Sequence, residues 1–156
     1  MAISACNPPR TLPEYYVQFY VSGDRYLFTK GFTDIEPVPY AQGFPALWSD
    51  YMACLIDVTF AGQGDPNNKY LWIIVEDGMG SSIGTWLTGF GTVAYWDGQV
   101  LYDTIGAGTD LSVTVTENSA TAGEIVEGTF SATLDDGAGH FIDITDGHFR
   151  LKRITP

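Results

Sequence analysis

The dipeptide Asp146-Gly147, set between two alternating runs, constrains this chain more than any other feature. Strict alternation of apolar and polar residues marks a strand with one buried face. Asp-Gly suits a two-residue type I′ hairpin turn, whose two central residues both need positive φ. Such a turn predicts Ile144 opposite Phe149, Ile142 opposite Leu151 and Asp143 opposite Arg150. Apolar then meets apolar on one face, and opposite charges meet on the other. A one-residue slip destroys both matches.

The runs just upstream obey the same period. Leu111, Val113 and Val115 point one way, with Ser112, Thr114 and Thr116 on the other side. Val126, Phe130, Ala132 and Leu134 share a face, while Glu127, Thr129, Ser131 and Thr133 look outward. The pattern predicts one core built from Val126, Phe130, Leu134, Ile142, Ile144, Phe149 and Leu151 together with Val17, Phe19, Ile56 and Val58.

Residues 1–14 read as a leader with three prolines and no periodicity. A strand over 15–22 turns at Gly23-Asp24 into 25–30, which sets Val21 against Tyr26 and Phe19 against Phe28. Residues 31–50, with three prolines and the aromatics Phe32, Tyr40, Phe44 and Trp48, read as an ordered loop with a short helix over 46–52. A long strand follows over 51–60, then the turn cluster 62–69. Tyr70–Glu76 is almost wholly apolar, which predicts a central strand covered on both faces. Gly84–Leu87 starts a strand, and Asp97-Gly98 joins two more, pairing Tyr95 with Val100 and Val93 with Tyr102. The expected fold is all-β: nine or ten mostly antiparallel strands over 15–156, as a two-sheet β-sandwich or a partly closed barrel.

Charge narrows the function classes. Nineteen acidic against seven basic residues give a net charge of −12. Such a surface repels phosphate backbones and anionic headgroups, so nucleic acid is excluded as a partner. No apolar run approaches the roughly 20 residues of a membrane helix. Cys54 shares an alternating face with Met52, Ile56 and Val58 and reads as a core thiol.

Two further pieces carry a resemblance. Gly128-Thr129-Phe130 with Leu134, a turn, then Ile144-Thr145-Asp146-Gly147-His148-Phe149 resembles the ending of small all-β bacterial surface lipoproteins of uncharacterised function. That likeness covers the last thirty or so residues and implies a β-sandwich at the cell envelope or outside the cell. Ile3-Ser4-Ala5-Cys6 looks like a lipobox, which implies lipidation of Cys6 and membrane attachment through that anchor alone. A lipobox follows an apolar segment of ~7–15 residues. Here five residues precede Cys6. Either the start is trimmed, or the match is accidental and the protein is cytoplasmic or from a virion.

The chemistry-bearing residues form no recognised constellation. His140 and His148 are the two histidines, expected opposite Arg153 and Thr145 and too far apart for one metal. Asp135-Asp136-Gly137 and Asp65-Pro66-Asn67-Asn68 have turn chemistry without calcium-loop spacing. No nucleophile elbow, phosphate loop or zinc-protease motif occurs. The reading is therefore non-enzymatic, with no metal and no cofactor. Trp72 reads as core, whereas Trp86 and Trp96 sit beside turns and are the candidate ligand-stacking residues. Three roles compete: a surface or secreted protein of binding or envelope architecture, a carbohydrate-binding module using Trp and Tyr, and an assembly subunit of a capsid, fibre or filament. The partner in each case is an unidentified protein or glycan.

Overall fold

The computed structural model describes residues 12–29, 40–43, 51–56, 69–76, 84–119 and 121–154. Every regular element among them is a strand: β1 (Tyr16–Val21), β2 (Asp24–Phe28), β3 (Tyr40–Gly43), β4 (Tyr51–Ile56), β5 (Tyr70–Glu76), β6 (Gly84–Leu87), β7 (Gly91–Trp96), β8 (Leu101–Asp103), β9 (Asp110–Asn118), β10 (Ile125–Asp135) and β11 (Phe141–Arg153). The protein is all-β. Its strands belong to one hydrogen-bonded sheet in the order β2-β1-β11-β3-β4-β5-β7-β8-β10-β9-β6, with a further pairing of β10 to β11. All of these pairings are antiparallel except that of β11 with β3. The expected division into two sheets is thus replaced by a single array, because β10 and β11 each bond to three other strands. At its far end β11 passes from β1 to β3, and β10 passes from β9 to β8.

Alternation delivers the core. Leu111, Val113 and Val115 on β9 and Val126, Phe130, Ala132 and Leu134 on β10 are buried, as are Ile144, Phe149 and Leu151 on β11. Val17 and Phe19 join them, and Ile142 packs against the cluster partly exposed. Phe19 ties the parts together: its ring lies 5.3 Å from Phe28, 5.7 Å from Tyr95 on β7 and 6.1 Å from Phe130 on β10. Burial and the Tyr26 hydroxyl push the Tyr95 phenol well above its ordinary pKa.

Asp146-Gly147 is not a hairpin turn. Both residues lie within the continuous strand β11, flanked by β1 and β10. Phe130 pairs with Gly147 and Ala132 with Ile144, so two steps on β10 face three on β11. The same extra residue appears toward β1, where Gln18 pairs with His148 and Tyr20 with Thr145. This is a β-bulge, with Asp146 at φ 49°. The charge pairing changes with it: Arg150 forms an ion pair with Glu127, and Thr133 donates a 2.7 Å hydrogen bond to Asp143. The hairpin of this block is β10–β11 itself, turning through 136–140.

Two other turns shift register by two residues. Ser22 and Gly23 take positive φ, so Phe19 meets Tyr26 and Val17 meets Phe28. At Asp97-Gly98 the Asp97 carboxylate accepts the N–H groups of Gln99 and Val100, widening the loop so that Tyr95 meets Tyr102. A shift by two keeps every side chain on its face, so burial patterning cannot detect it. Within the expected loop 31–50, Tyr40–Gly43 is a strand, and Tyr51 and Met52 begin β4 instead of ending a helix. Cys6, Trp48, Val58, most of the leader and the Asp65–Asn68 turn lie outside the described residues, as do the side chains of Cys54, Ile56 and Trp86.

Candidate functional site

The two faces of β5 differ in burial, and Tyr70 and Ile74 on the outer face are half-buried. Leu71, Ile73 and Val75 are fully buried, while Trp72 between them is 40% exposed. The core reading of Trp72 is therefore overturned. An apolar run suits a two-sided strand, but aromatic and β-branched residues also suit the outer face of a one-sided strand.

Pairing sets the neighbours of Trp72 in two rows. Tyr70 pairs with Trp96, and Trp96 with Leu101. Trp72 pairs with Ala94, and Ala94 with Asp103. Tyr70 and Trp96 are half-buried and lie side by side, centroids 6.3 Å apart and planes 14° from parallel. Burial raises the pKa of the Tyr70 phenol. Ala94, only 5% exposed, lies between Trp72 and Asp103 in the second row. Asp103 is anchored where the Ile105 N–H donates to its Oδ1 at 2.8 Å. The arrangement presents flat apolar rings beside a hydrogen-bond acceptor.

A second surface forms at the bulge. Ser112, Thr129, Ser131, Asp146 and His148 line an open hollow of about 290 Å³, with Phe130 and Gly147 beneath. Bulges re-aim side chains in this way. Among the described residues no hydrogen bond joins Ser131 to His148 or His148 to Asp146.

The histidines lie apart, with other neighbours than expected. His148 pairs with Thr129 and Gln18, while the Nδ1 of His140 lies 2.7 Å from the Asp136 carboxylate in the 136–140 turn. No group of three or more His, Cys, Asp or Glu among the described residues is placed to hold a metal ion.

Of the two candidate tryptophans, Trp96 belongs to the aromatic face. Trp86 stands in β6 with its backbone opposite Val113, apart from that face. Tyr70 and Trp72 were missed, although the Tyr-x-Trp-x-Ile spacing of β5 places them on one face. Compared with family models, curated proteins and solved structures, the chain matches none.

Proposed function

We propose that this chain is a non-enzymatic binding domain of the cell envelope or extracellular space that takes carbohydrate on the outer face of β5, β7 and β8. The exposed Trp72 beside the Tyr70–Trp96 pair carries the reading. A sugar ring has one face of C–H groups, which stacks on an aromatic ring. Its hydroxyls need hydrogen-bond partners at the rim, and Asp103 supplies an acceptor. The net charge of −12 disfavours sulfated or uronic-acid polymers, so the ligand is a neutral glycan. The envelope location rests on the lipobox-like Ile3-Ser4-Ala5-Cys6 and on the resemblance of the C-terminal strands.

Trp72→Ala weakens binding of a neutral oligosaccharide by about tenfold or more, equivalent to about 1.4 kcal/mol, as read by calorimetric titration. Trp96→Ala weakens it too, while thermal unfolding of the Trp72 variant stays near that of the parent because the indole is exposed. Esterase, glycosidase, phosphatase and protease substrates show no turnover. Equal affinity of the parent and the Trp72→Ala variant on a glycan array excludes this site.

A further inference from the structure

Large apolar side chains collect at one end of the molecule, away from the aromatic face. Leu87 is 57% exposed, Phe90 60%, Ile105 73% and Phe141 49%. Three connections bring them together. In the first, the Phe90 N–H donates to the Leu87 carbonyl, and Thr88 donates to Asp110 at 2.7 Å. In the second, which carries Ile105, the Thr109 hydroxyl reaches the Thr104 and Gly106 carbonyls, and the segment ends at Asp110. The third is the 136–140 turn, after which the Phe141 ring lies against Gly108. Apolar side chains this exposed, on adjoining connections, form a patch of the kind that marks an interaction surface.

Charge decides what the patch fits. Asp110 closes the second connection, and Asp135 and Asp136 open the third. Hydrogen bonds hold the carboxyls of Asp110 (first from Thr88) and Asp136 (first from His140) below the usual carboxylate range, so both stay ionised. A fixed anionic rim opposes an anionic bilayer, and it opposes a second copy of a chain carrying −12. Entry into a neutral bilayer would strip water from ionised carboxylates, at high cost. An apolar centre with a basic rim complements the patch on both counts.

We propose that this end of the domain docks a protein segment whose apolar side chains are flanked by Lys or Arg. The site is independent of the aromatic face.

The test uses the full chain and three fluorescein-labelled synthetic helical peptides: one of Leu and Lys, one with Glu replacing Lys, and one with Ser replacing Leu. Fluorescence anisotropy shows the Leu/Lys peptide binding at least tenfold more tightly than the other two. The double variant Phe90→Ser/Ile105→Ser, still folded by circular dichroism, loses that binding at least tenfold, whereas Trp72→Ala retains it. Equal binding of the Leu/Lys peptide to parent and double variant overturns the proposal. So does flotation with phosphatidylcholine vesicles that the double substitution abolishes, which assigns the patch to a membrane. Dimerisation in sedimentation that the same substitutions abolish assigns it to a second copy and overturns it equally.

Discussion

Asp136 organises the 136–140 turn through both of its carboxylate oxygens. Its Oδ1 accepts the N–H groups of Ala138 and His140 at 2.8 and 3.1 Å, and its Oδ2 faces the His140 ring. Neighbouring Asp135 accepts the N–H groups of Gly137 and Gly139. Short acidic side chains close such turns by replacing backbone partners. The His140 hydrogen bond, with help from the Ala138 and His140 N–H groups, holds the Asp136 carboxyl down to about 2. The same bond and the Asp136 charge raise the His140 pKa. Asp136 therefore stabilises the turn above its unfolded pKa of about 3.9, and this is lost as pH falls toward about 2. His140 contributes fully below about 6.5, and this is lost as pH rises through its higher folded value. The pair acts together between about pH 4 and pH 6.5. In an NMR titration His140 should show a pKa above the ordinary histidine value, and Asp136→Asn should return it toward that value. An unchanged titration in the variant removes the link.

At the scale of the element, β11 is governed by its bulge. Ile142 and Ile144 are even-numbered and Phe149 and Leu151 odd-numbered, yet all four turn toward the core. A regular strand cannot do this, and the extra residue at 145–147 restores the phase. Asp146 takes the left-handed conformation, which aspartate tolerates better than most residues. Gly147 does a different job and lies outside the positive-φ region. A Cβ there would come within 2.5 Å of the Phe130 carbonyl oxygen and 2.6 Å of its ring. Two pairing steps away, the arrangement is reversed: Phe149 lies across Gly128, where a Cβ would meet its ring at 2.5 Å. Each phenylalanine covers the other strand's glycine, in the manner of aromatic rescue. Gly147→Val should cost at least about 1–3 kcal/mol in urea unfolding, through steric conflict with Phe130 and not through backbone strain. Asp146→Gly should be tolerated. The opposite ranking would show that backbone conformation, not Phe130, requires the glycine.

For the molecule as a whole, stability rests on the junction where Phe19, Phe130 and Phe149 meet. Phe130 is 4% exposed and lies within 6.3 Å of both other rings, centroid to centroid. Phe130→Ala removes contacts to β1 and β11 together and should cost about 3–5 kcal/mol. Against a typical domain stability of about 5–15 kcal/mol, that is a large share. Chemical denaturation should show a much lower midpoint. Near-parental stability would mean that the three strands are held together elsewhere.

What the sequence determined by itself was the side-chain period. Alternation follows from strand geometry residue by residue, so the buried faces of β9, β10 and β11 and most of the core were legible. The dipeptide Asp146-Gly147 was also legible as the place where β11 changes phase. A two-residue hairpin and a one-residue bulge invert that phase equally, and aspartate in the left-handed region suits both. Tertiary structure chose between them, because β1 and β10 flank this stretch on both sides and keep the strand running through. The same holds for Trp72, and with it the candidate site. The composition of β5 shows that its residues suit a sheet, but not whether a second layer covers its outer face. Coverage is a property of long-range packing: Leu71, Ile73 and Val75 on one face of β5 meet the core, while Trp72 on the other is 40% exposed, with Tyr70 and Trp96 paired beside it.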